Sequence, residues 1–418
     1  MPALPPPPAP DPIVTDDELA ALRALIEASR AAYLADLERL VDIDCGSYTK
    51  AGVDEVGRFV AGHLARLGAD VMVHPSHQFG DTVVGVLNGE AGRRALLIGH
   101  MDTVFEPGTA AARPYRTEAG RAYGPGVTDM KSGLLAGLYA LAALRGLAGV
   151  GAEEAADPTA WLPFARLVFV ANPDEEIGSP QSSAIIREAA AASDLALVLE
   201  CARANGDIVS SRKGTVDLRL TITGRAAHAG VEPEKGRSAI LEAAHKTIDL
   251  QALNGRWPGV TCNVGVVRGG TRPNVVAEQT VLEVDLRATS RAALEAAEAA
   301  VRAIAGASTV ADVTCDVAEG GRHWPMEKLA ASGRLVDHAV ALAARLGFAL
   351  TDCATGGASD ANTTAGMGVP SLDGLGPIGG LDHAPGEYLE LDSIVPRVTL
   401  LAALLLATAR DPRLRRPI

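Results

Sequence analysis

Carboxylates and imidazoles come in five short motifs between residues 100 and 387, each beside an apolar run that ends at a turn. They are His100-Met101-Asp102, Gly126-Val127-Thr128-Asp129, Asp174-Glu175-Glu176, Leu199-Glu200 and His383-Ala384-Pro385-Gly386-Glu387. Two histidines and several acids delivered to one place would make an oxygen-and-nitrogen metal site, with one glutamate left over to move protons.

Each motif has its own logic. His100 and Asp102 follow the apolar run 94–99, and residues two apart on an extended segment face the same side. Open α/β sheets bind their ligands at such carboxyl ends of strands. Three adjacent acids at 174–176 repel one another unless a cation or strong hydrogen bonds offset the repulsion. Because neighbouring side chains diverge, one glutamate can ligate while the other faces a water as general base. The stretch 124–133 superficially resembles a phosphate loop, but Met130 stands where the glycine before Lys-Ser is required, and the match fails. Every motif alone also has an ordinary explanation: a solvated strand end at His100, a helix-capping turn at Asp129, a solvated acidic turn at 174–176, a salt bridge at Glu200, an exposed loop histidine at His383. Their shared placement after apolar runs favours one joint site.

Such groups need strands that end together. Helical periodicity is expected over 16–39 and 54–67, then short strands over 69–74, 82–87 and 95–98, a helix over 131–147, and strands over 166–170 and 195–199. Strands alternating with helices point to an α/β domain with a mixed sheet and helices on both faces. From 212 to 322 the order becomes strand 216–223, helix 236–250, strand 260–267, strand 275–287, helix 291–304, strand 311–317. That is the ferredoxin-like β-α-β-β-α-β unit, inserted between catalytic segments 1–211 and 323–418. The first domain resumes with a helical stretch over 329–346 and ends with 391–409.

The chain has 418 residues, 48% hydrophobic and 21% charged, as a soluble globular protein would. Its net charge of -13, without a run of basic residues, disfavours nucleic-acid and anionic-membrane partners. Five dispersed cysteines, Cys45, Cys201, Cys262, Cys315 and Cys353, form no C-x-x-C pair and are expected reduced. The proline-rich start, residues 1–11, lacks the pattern of a secretory signal, and no uninterrupted apolar stretch is long enough for a membrane span. A cytoplasmic location is expected.

In this order, with the inserted unit, the motifs resemble the di-zinc metallopeptidase family of aminoacylase, acetylornithine deacetylase and succinyl-diaminopimelate desuccinylase, with a pattern nearest the folate-hydrolysing glutamate carboxypeptidases. The resemblance covers nearly the whole chain. It implies two zinc ions, with cobalt or manganese as alternatives. Asp129 would bridge them, His100 and Glu200 completing one ion, Glu176 and His383 the other. Asp102 would orient His100, and Glu175 would be the general base and acid. The segment 226–230 resembles one whose histidine, here His228, comes from a partner subunit to stabilise the oxyanion, implying a homodimer through the inserted domain.

The resemblance also implies substrate contacts. Arg272-Pro273-Asn274 and Asp285-Leu286-Arg287 resemble segments that hold the substrate carboxylate, with Asn274 and Arg287 as the contacts. The stretch 356–360, with Gly357, resembles a glycine-rich substrate loop, and Arg322 sits at the return hinge where glutamate-cleaving relatives carry an arginine. A hairpin-end residue for His228, a surface strand residue for Arg287 and a plain turn at 356–360 are the ordinary alternatives. A glutamate at position 200 accompanies carboxypeptidases and deacylases rather than aminopeptidases in the family. The implied reaction releases a C-terminal, glutamate-like amino acid from a small N-acyl or peptidyl substrate, because two guanidinium groups favour an anionic product. The second reading is an N-acyl-amino-acid deacylase with an aliphatic or aromatic product. A non-catalytic scaffold on this fold would need a broken site, and every ligand position here holds a competent residue type.

Overall fold

The structure, a computed structural model, describes residues 13–151 and 157–414, so the proline-rich start lies outside the described residues. The chain divides into two compact units: Met1–Ser210 with Leu329–Cys353 and Met367–Ile418, and Ser211–Lys328 with Ala354–Gly366.

The first unit holds a six-stranded mixed sheet in the order Asp70–His74, Thr82–Asn88, Arg166–Asn172, Arg94–His100, Leu195–Val198, Ser371–Leu372. The first two strands are antiparallel to their neighbours and the remaining four run parallel. Arg94–His100 is apolar without alternation and buried from Ala95 onward, as a central strand covered on both faces must be. Helices Ser132–Leu147 and Ile394–Arg410 are apolar almost all round, and they pack against each other and against Asp16–Val41. Residues 391–410 reach a mean hydropathy of 1.6, long and apolar enough to cross a membrane, yet 83% of that window is buried inside the unit. This segment builds the core.

The second helix begins at Lys50, four residues before the expected start, where the Lys50 ammonium pairs with Asp54 at 2.9 Å and Asp81 at 2.5 Å.

The second unit has the expected β-α-β-β-α-β order, with an antiparallel sheet Thr261–Gly269, Gln279–Ala288, Gly214–Thr223, Thr314–His323 and helices Ala239–Gln251 and Arg291–Gly306. Strand Gly214–Thr223 alternates: Val216, Leu218, Leu220 and Ile222 enter the core beside the helices, and the residues between them are at least partly exposed. Two boundaries differ most from expectation. The last strand runs on to His323 with a bulge between Glu319 and Arg322, which makes Arg322 a strand residue rather than a hinge residue. The strand expected from 275 starts at Gln279, because Val275 pairs instead with His228 in an isolated bridge.

The segment 212–322 is joined in this unit by residues up to Lys328 and by Ala354–Gly366. The Asn362 side-chain amide donates to the carbonyls of Lys213 at 3.0 Å and Trp324 at 2.7 Å, and Lys213 N–H donates to Thr355 O at 3.1 Å.

Candidate metal centre

Three adjacent parallel strands, Arg166–Asn172, Arg94–His100 and Leu195–Val198, end side by side, and each leads into a polar group. His100 closes its own strand, Glu175 and Glu176 stand in the tight turn Glu175–Ile177, and Glu200 lies just past Val198. Met101 N–H donates to Asn172 O at 2.7 Å and Leu199 N–H to Ile98 O at 2.9 Å, which carries the pairing past the strand ends.

Asp129 arrives from another direction, on the loop before helix Ser132–Leu147. Gly126 has φ of 72°, and a Cβ there would stand 2.6 Å from Thr103 Cγ2, so both the turn and its close approach need glycine. The Asp129–Met130 peptide is cis. His383 comes from the turn before strand Tyr388–Glu390 with φ of 63°, a left-handed conformation uncommon outside glycine.

These groups converge. His100 Nε2 lies 3.1 Å from Asp129 Oδ1 and 3.7 Å from Glu200 Oε1. His383 Nε2 lies 3.2 Å from Asp129 Oδ2 and 3.1 Å from Glu176 Oε2. Ligand atoms of His100, Asp129 and Glu176 all fall within 4.8 Å of one another, and so do those of His100, Glu175 and Glu200. Burial opposes charge on His100, but Glu200, Asp102 and Asp129 outweigh it and raise its pKa well above the ordinary imidazole range. Hydrogen bonds to Asp129 and Glu176 push His383 up to about 11. Asp129 is held low between the two histidines despite burial, which pushes Glu176 up. Such a cluster of acids demands positive charge.

The donor set fits a divalent metal. Glu176 Oε1 is buried with no hydrogen-bond partner. His100 Nδ1 lies 3.0 Å from the Asp102 carbonyl oxygen, so its N–H is spent there and Nε2 faces the acids, where a metal would take the place of the second proton. Oxygen and imidazole donors without thiolate suit zinc, cobalt or manganese.

Two carboxylates hold backbone rather than facing the centre. Asp102 touches His100 through its carbonyl, with its carboxylate farther off at 3.4 Å. That carboxylate accepts the Ser47 hydroxyl at 2.6 Å, Glu175 N–H at 3.1 Å and Glu176 N–H at 3.2 Å, and so holds the acidic turn. Glu387 is buried and accepts the N–H groups of Gly126, Thr128 and Asp129 at 3.0, 2.9 and 3.1 Å. Burial pushes its carboxyl up to about 7 against the pull of these bonds. Sequence reasoning missed Ser47 and gave Glu387 no role, although its place in the His383 motif was a signal. Asp174, first of the acid triplet, is buried apart, where it accepts from Ser182 Oγ at 2.5 Å and Gln181 N–H at 2.7 Å.

The other candidates lie in the second unit. His228 is exposed, and its Nδ1 accepts Gly230 N–H at 3.2 Å, which leaves Nε2 as the protonated nitrogen. Ala229 N–H donates to Asn274 O at 3.0 Å, so the His228 and Asn274 segments are neighbours. Arg287 forks onto Asp285 at 2.9 Å and donates to Gly356 O at 3.0 Å, while Arg212 donates to Gly357 O at 3.1 Å. Arg322 pairs with Glu298 at 2.7 Å and Glu319 at 2.8 Å. Both arginines expected to receive substrate already face carboxylates.

The model of the family Peptidase family M20/M25/M40 matches residues 96–407. Carboxypeptidase G2 of Pseudomonas sp. (strain RS-16) is 30% identical over 383 residues, covering 90% of this chain and 89% of that protein. Succinyl-diaminopimelate desuccinylase of Paracidovorax citrulli (strain AAC00-1) is 26% identical over 331 residues, 74% of this chain and 79% of that one. Among solved structures, aminopeptidase PepT from Bacillus cereus ATCC 10987 superposes with a TM-score of 0.74 at 22% identity, over 95% of this chain and 100% of that one. The family match begins in the His100 strand and ends in the last core helix, so it spans every group of the centre: the chain belongs to peptidase family M20/M25/M40 and is a hydrolase of amide bonds.

Proposed function

We propose that the chain is a two-zinc hydrolase that releases a C-terminal, glutamate-like amino acid from a small N-acyl or peptidyl substrate. The observation that carries this reading is the division of Asp129, whose Oδ1 faces His100 and whose Oδ2 faces His383. A carboxylate shared in that way would suit a bridge between two cations. His100 and Glu200 would hold one and Glu176 and His383 the other, with cobalt or manganese able to replace zinc. When bound, the ions polarise the scissile carbonyl and acidify water. Glu175 then accepts the proton released by the attacking water and returns it to the leaving amine, while Asp102 fixes the Glu175 backbone.

His228 offers an Nε2–H donor suited to the oxyanion. Its supply by a second copy would make the protein a homodimer through the second unit, a reading supported by exposed Ile240, Leu241 and Ile248 on one helix and Val267 on the outermost strand. Arg287 can exchange the Asp285 carboxylate for that of a substrate, beside Gly357 and with Asn274 and Arg322 as further contacts. The likeness to carboxypeptidase G2 supports release from the C-terminal side. The aliphatic or aromatic product of an N-acyl-amino-acid deacylase is favoured by one observation, the pairing of Arg322 with two glutamates. A cytoplasmic location fits five free cysteines.

The test compares turnover of folate-type, N-acetyl-glutamate and N-acyl-leucine substrates with and without chelator. The expected result is chelator-sensitive cleavage, fastest for the acidic amino acid. Negligible turnover of every acidic substrate overturns the preference, and chelator-insensitive cleavage overturns the metal role.

A further inference from the structure

We infer that Glu387 is a positioning residue that sets metal affinity by clamping two ligand-bearing segments together, an inference that rests on the metal centre proposed above. Glu387 is 2% exposed, and its carboxylate sits in a concavity of backbone donors: Gly126 N–H reaches Oε2, and Thr128 and Asp129 N–H both reach Oε1. Three N–H groups aimed at one point form an anion nest, here filled by a side chain of the same chain. The donors belong to the loop that ends in Asp129. The acceptor lies 258 residues from Asp129 but only four beyond His383, and Glu387 N–H donates to Ala384 O at 3.1 Å, which folds 384–387 into one turn.

One carboxylate therefore joins the backbone carrying His383 to the backbone carrying Asp129. The side chains of those residues meet at 3.2 Å. Without the clamp, the pairing of Tyr388 with Tyr123 remains but the Asp129 loop loses its three bonds to the His383 segment, and the ligands they share must then be ordered by the metal itself. Ordering ligands at the moment of binding lowers affinity. The loop also depends on the clamp for satisfaction of its donors, since Thr128 is buried and its N–H is directed at Glu387. A carboxamide in place of the carboxylate would turn one of its groups, an NH2, toward donors rather than acceptors.

The test measures zinc affinity by competition with a chromophoric chelator for the wild type, Glu387→Gln, Glu387→Asp and a control, Glu390→Gln. Glu390 is three residues on, in the following strand Tyr388–Glu390, and pairs with Arg121 at 2.7 Å, so its loss loosens the attachment of that strand without touching the nest. Thermal melting of each metal-free protein is recorded alongside. The expected result for Glu387→Gln is a loss of zinc affinity of about 10–100-fold, with much of kcat restored at saturating zinc. Glu387→Asp, which keeps the charge on a shorter stem, should fall between, and it carries the test if the glutamine variant does not fold. Glu390→Gln should lower melting temperature alone. Wild-type affinity in both Glu387 variants overturns the inference, and so does an equal loss in Glu390→Gln. A wild type that binds no zinc overturns the metal centre itself.

Discussion

Glu175 and Asp102 meet through one backbone N–H at 3.1 Å, a bond that does not depend on the side chain Glu175 carries. Replacing Glu175 by Gln should then leave the turn and the metal content intact while lowering kcat by about 10²–10⁴-fold, the usual worth of a general base. Steady-state kinetics with metal analysis checks this, and a variant as active as wild type rules Glu175 out as the proton carrier. The groups facing the centre were legible because each stands in a short polar motif directly after an apolar run. Ser47 and Glu387 were not, because their partners lie 55 and up to 261 residues away and are reached only once the chain has folded. The carboxylate of Asp102 illustrates the same limit: spacing places it beside His100, but only the folded turn supplies the two N–H groups it accepts.

Among the elements, helix Ser132–Leu147 starts immediately after the Asp129 loop and packs its first turn against a strand end. A Cβ at Gly133 would stand 1.9 Å from Leu199 O, the carbonyl just before Glu200. Gly133→Ala should cost about 1–3 kcal/mol or more, since rigid backbone opposes the added carbon. Gly333, in helix Ala330–Arg345, has open space around its Cβ position, and Gly333→Ala should stabilise by about 0.5–1 kcal/mol. Urea unfolding of both variants provides the check, and equal midpoints would refute the packing argument. Hydrophobic periodicity revealed these helices and the order of the second unit, but not helix Ser183–Ala191 or the sixth sheet strand Ser371–Leu372 of the first. It did not reveal the bulge that puts Arg322 inside a strand, because a bulge depends on pairing with a distant partner, here Val216 and Leu218.

At the scale of the whole molecule, the beginning of the described chain is tied to its end. Glu18 completes the capping box of helix Asp16–Val41 and pairs with Arg410, the last residue of helix Ile394–Arg410, at 2.8 Å. The Arg410 hydrogen bond holds the Glu18 carboxyl at about 2 against an ordinary 4.5, in spite of burial. Folding therefore favours the ionised form, so this contribution is complete above about pH 4.5 and drains as pH falls toward 2. Unfolding midpoints from pH 2 to 6 should show Glu18→Gln less stable than wild type by about 1 kcal/mol at the upper end, the gap closing toward pH 2. A gap of constant size would count against the pairing.

Helix Ile394–Arg410 is buried along most of its length and follows in sequence the helices it packs against. While a nascent chain grows, helices Asp16–Val41 and Ser132–Leu147 must wait for the partner that covers them, whereas the sheet of the second unit, contiguous between residues 214 and 323, is complete before Ser371–Leu372 adds the sixth strand to the sheet of the first. His383 also emerges late. A chain translated only as far as residue 380 thus carries unfinished apolar surface and lacks His383, so that completion of the core and assembly of the candidate metal centre depend on the same stretch, residues 383–410.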